Sequence, residues 1–374
     1  MICNYIEKGI RLKLFSQNNE QYIFTKPCCH MPHEEIPEEH RKFIKLDSLK
    51  VSDIMNAPSL KYFREYFEEN QFFHPACESC QNYEAKGMES PRTQENKRDY
   101  SEYDISRLDV VLSNSCNLAC PFCSSHASSL IDKLSNTLEE KPQNWIPIKE
   151  SHDFEQPKDT ETSELIATIL KNYRVHTLKL IGGEPFLKEN WSKISETINS
   201  GEYSNLNIDI TTNGTVITDE IIDTLQKLKS FDLKISIDSI GKNYEFIRWP
   251  HTWERMKRNL DYLKSRDVKV TITNLINIFN FEYLPEIEEY FDDANYSCEI
   301  QPESSLHNFR NLPPHIIEKV RSQIKSEYLK KALIPLKHNH SKDSLRREFE
   351  VLLKQRKMKA DDVIGPMTRE YFNL

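Results

Sequence analysis

Three cysteines, Cys116, Cys120 and Cys123, follow one another at the spacing C-x3-C-x2-C. Thiolates on one short loop can bind three irons of a cubane iron–sulfur cluster, which leaves the fourth iron without a protein ligand. An iron with open coordination positions can bind and activate a small molecule, whereas a cluster held by four cysteines is closed. A zinc loop, or three cysteines close together by chance, is the alternative interpretation of the same spacing.

This spacing, with the aromatic Phe122 just before the third cysteine, resembles the signature of the radical S-adenosylmethionine (SAM) enzymes. The resemblance implies a catalytic [4Fe–4S] cluster on Cys116, Cys120 and Cys123, with SAM chelating the open iron through its amino and carboxylate groups. It also implies reductive cleavage of SAM to a 5′-deoxyadenosyl radical, which abstracts hydrogen from the substrate. A reductase such as flavodoxin or ferredoxin is the expected electron donor.

A second motif, Gly182-Gly183-Glu184-Pro185, follows the apolar alternation of Leu178 and Leu180. Glycines at the end of a strand let the backbone approach a ligand closely. On its own, such a strand end is often only a tight turn. Downstream of this cysteine loop it resembles the GGE motif of the family, which implies that its backbone and carboxylate hold the amino group of SAM.

Further candidate SAM ligands stand at the ends of later predicted strands, and the resemblance supplies their roles. Thr212 and Asn213 match a triplet found in relatives, although Asn-Gly is also an ordinary turn pair. Ser236 and Asp238 are expected on the polar face of a strand, contacting the ribose hydroxyls and the methionyl end of SAM. Arg248 is placed like the arginine that pairs with the SAM carboxylate; the alternative is a surface arginine.

The N-terminal cysteines form a separate set. The pattern is an early cysteine, a hairpin ending in Pro-Cys-Cys, a helical stretch and then C-x2-C followed by Glu and Gly. It resembles the auxiliary-cluster region called a twitch domain, here placed before the barrel instead of after it. The resemblance implies a second, closed [4Fe–4S] cluster, with structural zinc as the alternative. The matching residues are Cys3, Cys28, Cys77, Cys80, Glu84 and Gly87.

Cys28 and Cys29 compete for one position in that set. Successive side chains of an extended chain point to opposite sides, so only one of the two thiols is expected to face a cluster. Twitch-like regions generally use the first cysteine of such a pair, which favours Cys28. A shift of the strand by one residue would favour Cys29 instead.

The element pattern from residue 99 onward predicts an α/β fold. Apolar and polar residues alternate in six short segments, with helical periodicity between them, which indicates parallel strands. One face of these strands is repeatedly polar, as in a barrel with a ligand-binding lumen, so we expect the partial (β/α)6, TIM-like barrel of the radical SAM enzymes. The six segments contain Leu108–Leu112, Leu178–Leu180, Ile208–Ile210, Leu233–Ile237, Val270–Ile272 and Cys298–Ile300.

Three domains are therefore predicted: a twitch-like domain over 1–98, the barrel over 99–312 and a helical extension over 313–374. The polar stretch from Gln81 to Arg98 is interpreted as a linker. The charged stretch from Glu139 to Thr162 is interpreted either as an excursion over the barrel mouth or as a disordered insertion. The extension is interpreted as a solvated helical cap or as a partner-docking element.

Composition narrows the class of protein. The chain has 374 residues, 38 % hydrophobic and 29 % charged, and its net charge is −8, which argues against an extended nucleic-acid footprint. No apolar run approaches the ~18 residues that span a bilayer, and the N-terminus has no signal-peptide pattern. We therefore expect a cytoplasmic protein, in which a total of nine cysteines favours metal ligation over disulfides.

The predicted function is a radical SAM enzyme that modifies a peptide or protein, because relatives with such auxiliary regions commonly do so. Radical oxidation of a small carbohydrate is the second hypothesis, and a non-catalytic metal-binding module is the third. No catalytic acid or base can be assigned among the polar strand residues Lys234, Glu299, Gln301 and Glu303. Cys298 is interpreted as a buried strand residue, with hydrogen donation to a substrate radical as the alternative.

Overall fold

A computed structural model describes residues 3–17, 20–28, 31, 36–46, 51–70, 73–146, 161–201, 203–292, 295–301, 305–335 and 340–374. The chain divides into two compact units. Unit 1 comprises residues 1–113, 149–210 and 218–231, and unit 2 comprises residues 114–148, 211–217 and 232–374.

In the described residues the strands are β1 (Gly9–Gln17), β2 (Glu20–Lys26), β3 (Ile44–Lys45), β4 (Ile105–Val111), β5 (Val175–Ile181), β6 (Asn207–Thr212), β7 (Ser230–Ser236), β8 (Val270–Ile276) and β9 (Asn295–Ile300). The helices are α1 (Asn4–Lys8), α2 (Val51–Met55), α3 (Pro58–Asn70), α4 (Glu78–Ala85), α5 (Pro91–Glu95), α6 (Ser129–Ser135), α7 (Glu161–Asn172), α8 (Lys188–Ser200), α9 (Asp219–Leu225), α10 (Gly241–Ile247), α11 (Trp253–Ser265), α12 (Leu284–Tyr290), α13 (Pro314–Gln323), α14 (Glu327–Ala332), α15 (Lys342–Arg356), α16 (Ala360–Val363) and α17 (Pro366–Phe372). The α/β class is confirmed, and all six predicted strands are present, as β4 to β9.

Unit 1 contains a sheet with the strand order β3-β2-β1-β4-β5-β6. Strands β4, β5 and β6 are parallel, and their register aligns Leu108 with Leu178 and Leu178 with Ile208. These three side chains are no more than 1 % exposed. The same register places charged residues on the opposite face, as the alternation in the sequence predicts.

That opposite face carries a buried ion network. The Arg107 guanidinium lies 2.8 Å from Asp109 through its Nε and 2.7 Å from Asp209 through Nη2. Both carboxylates raise the pKa of Arg107 against the lowering effect of burial. One face of the parallel strands is therefore polar because its charges pair with one another inside the unit.

The N-terminal hairpin is confirmed and has a second role in unit 1. Strand β1 pairs antiparallel with β2 and parallel with β4, so the hairpin extends the same sheet. Helix α3 buries the predicted stripe of Leu60, Phe63 and Phe67. The sequence signals for the hairpin were local, whereas the pairing with β4 joins segments about a hundred residues apart.

The interpretation of residues 81–98 as a linker is wrong. This stretch contains most of helix α4 and all of α5, and a capping box of Ser90 and Thr93 begins α5. The Asn4 backbone N–H donates to the side-chain oxygen of Asn96 over 2.9 Å, which ties the stretch to helix α1. Its polar composition reflects short helices held by caps and side-chain hydrogen bonds, with only two buried residues, Ser90 and Glu95, at 0 % and 3 % exposure.

Unit 2 contains the parallel strands β7, β8 and β9 and helices between and after them. Leu233, Ile235 and Ile237 alternate as buried residues along the first of these strands. The helical extension after Pro314 is confirmed as α13 to α17. Residues 147–160, within the predicted excursion, lie outside the described residues.

Within the described ranges, no helix combines the length and the apolar character needed to span a bilayer. The division into two compact units differs in outline from the three predicted domains, because β1 and β2 join the strands that follow residue 99. The boundaries at 98 and 312 stay predictions.

Candidate functional site

The cysteine loop of unit 2 is held through its backbone. Three successive carbonyls accept buried donors: Leu118 from the Ser128 hydroxyl at 2.6 Å, Ala119 from the Arg356 guanidinium at 2.7 Å, and Cys120 from the indole N–H of Trp145 at 3.3 Å. The Ala119 N–H in turn donates to the carbonyl of Trp249 over 2.8 Å. Because each of these groups is fixed from outside the loop, the three cysteines are presented on a backbone with little freedom.

The three thiols of this loop lie close enough to affect one another. Burial raises the pKa of Cys123 to about 12, and Cys120 and Cys116 add to the rise. Burial also raises the pKa of Cys120, which is 6 % exposed. Three thiolates so placed are stabilised by a bound cation, as iron would provide, because positive charge offsets both the desolvation and the mutual repulsion.

Arg248 brings a permanent positive charge to this loop. Its Nη1 lies 3.7 Å from the sulfur of Cys120, and its guanidinium lies over the Phe122 ring at 5.8 Å from the centroid. Its Nη2 pairs with Asp238 over 2.5 Å. The alternative of a surface arginine is therefore wrong, because Arg248 is only 8 % exposed.

Asp238 occupies a different position from the one expected at a strand's polar face. Strand β7 ends at Ser236, and Asp238 follows with a positive φ of 64°, which turns its side chain into the interior. Its Oδ1 accepts from the Leu275 N–H at 2.8 Å, and Oδ2 pairs with Arg248. In the structure the carboxylate, 1 % exposed, serves to position Arg248, and its contact with SAM stays a prediction.

The remaining candidates of unit 2 lie beside the same loop or on β7. The Asn213 amide lies 3.8 Å from the sulfur of Cys116 and donates to Asn117 over 2.9 Å. The Thr212 hydroxyl accepts from the Gly214 N–H at 3.0 Å, so the threonine side chain closes the turn. The Ser236 hydroxyl hydrogen-bonds with Thr273 over 3.2 Å on the next strand. Asn213 is thus placed near a thiol, whereas Thr212 shapes the turn that carries it.

In unit 1, the motif from Gly182 to Pro185 forms a tight strand end. Gly182 and Gly183 have φ values of 84° and 54°, and a Cβ on Gly182 would meet the Val111 side chain at 2.9 Å. Glu184, fully buried, accepts from the Phe186 N–H at 3.1 Å through its own Oε1. The motif therefore needs glycine at position 182 for both conformation and space.

The four predicted auxiliary ligands come together in unit 1. Cys3, Cys28, Cys77 and Cys80 line one small pocket with Arg92. Burial raises the pKa of Cys3 to about 11 and that of Cys77 to about 12, and the thiol of Cys80 adds to both shifts. Cys29 lies outside the described residues, so the choice between it and Cys28 stays a prediction.

Glu84 and Gly87, the other two residues of the pattern, support this pocket. Glu84 binds Arg92 through both carboxylate oxygens, at 3.0 Å from its Nε and also at its Nη2, and accepts from Ser90 at 2.5 Å. Gly87, with a φ of 68°, ends the turn after helix α4. The glutamate thus fixes a cation beside the cysteines, and the glycine supplies the turn that brings helix α5 back.

Both cysteine sets have features that suit an iron–sulfur cluster. Across the described stretches, no group of three or more histidine, cysteine or acidic side chains is placed to hold one metal ion. A cubane cluster binds each thiolate at a different iron, so its ligands stand further apart than those of one ion. Burial, mutual proximity and an adjacent arginine fit such a cluster at both sites.

Sequence reasoning missed three side chains that serve these sites: Trp145, Arg92 and Arg356. For Arg356 a signal existed, because Leu345, Phe349 and Leu352 form the buried stripe of α15 and Arg356 continues it at the next helical spacing. A basic residue on an apolar stripe implies a buried partner. Trp145 and Arg92 carry no comparable signal, since each belongs to a short irregular segment or a one-turn helix.

The catalytic-base candidates stay unassigned. Lys234 pairs with Asp232 over 2.9 Å, and Gln301 donates to Ser305 over 3.0 Å. Glu299 is exposed, and Glu303 lies outside the described residues. Cys298 shares its strand face with Ile300 and lies beside Tyr296, whose hydroxyl lowers the pKa of this thiol against the dominant effect of burial.

Comparison with known families identifies the central part of the chain. Residues 110–294 match the radical SAM superfamily model. This segment is a radical SAM domain. It contains the cysteine loop, the Gly182 motif, Asp238 and Arg248, and the family implies a [4Fe–4S] cluster and bound SAM.

Characterised relatives match this chain over part of their length. The GTP 3′,8-cyclase of Synechocystis sp. is 28 % identical over 46 % of this chain and 46 % of its own. The radical SAM cyclopropyl synthase TigE of Paramaledivibacter caminithermalis is 24 % identical over 69 % of this chain and 51 % of its own. The chain thus spans about half the length of these two relatives.

Among solved structures, anSMEcpe with bound AdoMet aligns at a TM-score of 0.39 and 18 % identity, over 58 % of each chain. SuiB of Streptococcus suis, bound to its precursor peptide SuiA, aligns at a TM-score of 0.37 and 14 % identity, over 95 % of this chain and 70 % of its own.

Proposed function

We propose that this protein is a radical SAM enzyme that modifies a peptide or protein. Cys116, Cys120 and Cys123 would hold the catalytic [4Fe–4S] cluster, and Cys3, Cys28, Cys77 and Cys80 an auxiliary one. When bound and reduced, the catalytic cluster supplies the electron that cleaves SAM, and the 5′-deoxyadenosyl radical so formed abstracts hydrogen from the substrate. A flavodoxin or ferredoxin would deliver the electron.

One observation carries the catalytic part of this proposal. Three thiols lie on a single loop of a radical SAM domain, and the buried Arg248 guanidinium stands 3.7 Å from the sulfur of Cys120. A fixed cation at that distance favours the thiolate form that iron requires. The low exposure of Cys120, at 6 %, also keeps water from that corner of the site.

Other residues of this domain hold and orient the groups around the cysteine loop. Asp238 fixes the Arg248 guanidinium, and Arg248 in turn lies over Phe122. Asn213 presents its amide toward the sulfur of Cys116. In unit 1, the backbone at Gly182 and Gly183 has the positive-φ conformation of a strand end that a ligand can approach. Their contacts with SAM are part of the proposal.

The auxiliary set bears on the choice of substrate through the enzymes that its sequence pattern resembles. Four cysteines complete a cluster without an open iron, which suits electron transfer from a substrate radical better than substrate binding. Relatives with such auxiliary regions commonly modify peptides and some act on sugars, which makes a peptide or protein the first hypothesis and a carbohydrate the second.

The proposal is tested on the full chain, purified and reconstituted without oxygen. We expect about eight irons per chain and SAM-dependent formation of 5′-deoxyadenosine after reduction with dithionite or with reduced flavodoxin. Short peptides encoded beside the gene are then added, and a change in peptide mass that depends on SAM identifies the substrate.

Three outcomes separate the hypotheses. If deoxyadenosine forms and an added sugar is oxidised while no peptide changes mass, the carbohydrate hypothesis is favoured. Iron binding without deoxyadenosine under all reductants would favour a non-catalytic module. About four irons with one zinc would assign zinc to the N-terminal cysteines.

A further inference from the structure

Arg356, the last residue of helix α15, is buried against the cysteine loop of unit 2. It is 5 % exposed although it lies in a helix rich in surface lysine and arginine. Its guanidinium donates to the carbonyl of Ala119 over 2.7 Å and to the carbonyl of Phe246, and it lies over the Phe246 ring at 4.7 Å from the centroid. The arginine therefore bridges the loop to the end of helix α10.

Both ends of that bridge lead to the candidate site. Ala119 precedes the ligand Cys120, and its N–H is held by the carbonyl of Trp249. Phe246 stands two residues before Arg248, whose guanidinium reaches the Cys120 sulfur. Fixing these two carbonyls at one planar guanidinium therefore sets the distance between the loop and the segment that carries Arg248.

Among the residues that the structure describes, no carboxylate pairs directly with Arg356, and only the buried Glu348 on the same helix acts on its charge from further away. Its two hydrogen bonds go to neutral carbonyls, and its Nε has no hydrogen-bond partner there. Arg248, by contrast, pairs with Asp238 over 2.5 Å. A buried cation without a carboxylate partner is costly, and an anionic iron–sulfur cluster bound by the adjacent thiolates would offset that cost.

A second contact from α15 reinforces the loop. Glu348, two turns before Arg356, accepts from the Gln143 N–H at 3.0 Å and from His307 at 3.0 Å. Gln143 begins the short turn that ends at Trp145, whose indole N–H donates to the carbonyl of Cys120. One helix thus holds two neighbouring carbonyls of the loop, one directly and one through this turn.

We propose that Arg356 is a positioning residue of the catalytic cluster, which holds the cluster loop through Ala119 and supplies the cluster with a positive charge that no direct ion pair neutralises. The inference rests on the proposed function, because it assigns a cluster to Cys116, Cys120 and Cys123. It brings the C-terminal extension into the catalytic centre, since α15 supplies the donor to the Ala119 carbonyl and, through Glu348, holds the turn that carries Trp145. Net charge and surrounding dipoles are levers that set the reduction potential of such clusters.

The test compares Arg356→Met, Arg356→Lys and the control Arg346→Met in the full, reconstituted chain. Arg346 lies on the exposed side of the same helix, paired with Glu350. The readouts are the rate of iron loss to a chelator and the midpoint potential of the cluster whose electron paramagnetic resonance signal changes on addition of SAM. Unfolding followed by circular dichroism reports the stability of each variant.

Arg356→Met is expected to speed iron loss from this cluster by about 10-fold to 100-fold, as for other residues that support metal ligands. The midpoint potential of the cluster should become more negative in Arg356→Met, because the reduced cluster loses a stabilising cation. Arg356→Lys should retain a potential near that of the wild type and lose iron at an intermediate rate, because an ammonium cannot span both carbonyls. Arg346→Met should match the wild type.

Arg356→Met with wild-type iron loss and an unchanged potential would overturn the proposal. If Arg356→Met does not fold, Arg356→Lys decides, and iron loss identical to that of the wild type would reject the positioning role. A wild-type chain that binds no SAM-responsive cluster would instead reject the proposed function itself. The two failures are therefore distinguishable.

Discussion

The two cysteine sites are built in opposite ways. In unit 2 the three cysteines lie within eight consecutive residues, and the fold adds the donors that fix their loop. In unit 1 the four cysteines come from three distant segments, and the fold must first bring them to one pocket. A short loop can keep its ligand spacing through local changes in the fold, whereas a dispersed set depends on every element that positions it.

The arginines beside the two sites differ in whether a carboxylate binds them directly. Arg92 in unit 1 is held by both oxygens of Glu84, so its charge is locally balanced. Arg356 in unit 2 donates only to main-chain carbonyls, so its charge is available to a bound cluster. The comparison predicts that the unit 2 site is the more sensitive to loss of an arginine, as befits a cluster that must be reduced to react.

The largest effect is expected from the cysteines of unit 2. Cys116→Ala, Cys120→Ala and Cys123→Ala should each reduce 5′-deoxyadenosine formation to the level without protein, because an open cubane needs all three thiolates. Chromatography of the reduced, SAM-supplied protein measures the product.

Cys298→Ala is the matched control for these variants, since Cys298 lies on β9 of the same unit beside Tyr296. It should leave deoxyadenosine formation unchanged. Product formation that persists in all three loop variants would contradict a radical SAM reaction at this loop.

The next effect concerns the auxiliary set. Cys77→Ala should lower the iron content from about eight to about four per chain and leave SAM cleavage in place, because the two clusters use separate ligands. Loss of both clusters together, in a variant that stays folded, would break the distinction between the sites. Iron analysis and electron paramagnetic resonance of the same sample give both quantities.

Variants of Cys28 and Cys29 test which of the two is the fourth ligand of the auxiliary set. Cys28→Ser should lose the auxiliary cluster and Cys29→Ser should keep it, because Cys28 lines the pocket with the other three cysteines. The reverse pattern of iron content would assign the ligand to Cys29, and loss in both would contradict an extended chain at this pair.

A smaller effect, on stability, is expected at the Arg248 pair. Asp238→Asn should lower the free energy of unfolding by about 3–5 kcal/mol, because it leaves a buried guanidinium without its counter-ion. Urea unfolding of the protein without cluster measures the change. Lys242→Gln, which breaks an exposed pair with Glu245, is the control and should change stability by less than about 1 kcal/mol.

The smallest effect is expected at Glu84. Glu84→Gln should lower the free energy of unfolding by about 1.5–3 kcal/mol, since the amide keeps at most one of the two hydrogen bonds from Arg92 and carries no balancing charge. Iron content should stay near that of the wild type, because the four thiols remain. A complete loss of the auxiliary cluster would show instead that Glu84 is needed to assemble the pocket.

Much of this protein could be predicted from its sequence, where the signal is local. The three cysteines of the loop, the double glycine after β5 and the six alternating strands each depend on spacing within a few residues. The N-terminal hairpin and the buried stripe of Leu60, Phe63 and Phe67 were equally readable. These features are short-range because backbone conformation and strand or helix periodicity are set by neighbouring residues.

Segments of low apolar content were harder to interpret. Residues 81–98 form two short helices, α4 and α5, although their composition is that of a linker. Helices of this length expose most of their surface and are stabilised by caps and tertiary hydrogen bonds, which leave little hydrophobic periodicity in the sequence.

Only the tertiary structure decided which side chains surround the two cysteine sites. Arg356 reaches the loop from 237 residues away, and Arg92 joins Cys3 and Cys28 in one pocket only when α5 packs against α1. The turn at Asp238, with its positive φ, sends the carboxylate to Arg248 instead of along the strand face. Such contacts depend on packing between distant elements. A polar group needs a protein partner only when it is buried, and the tertiary fold determines which partner lies next to it.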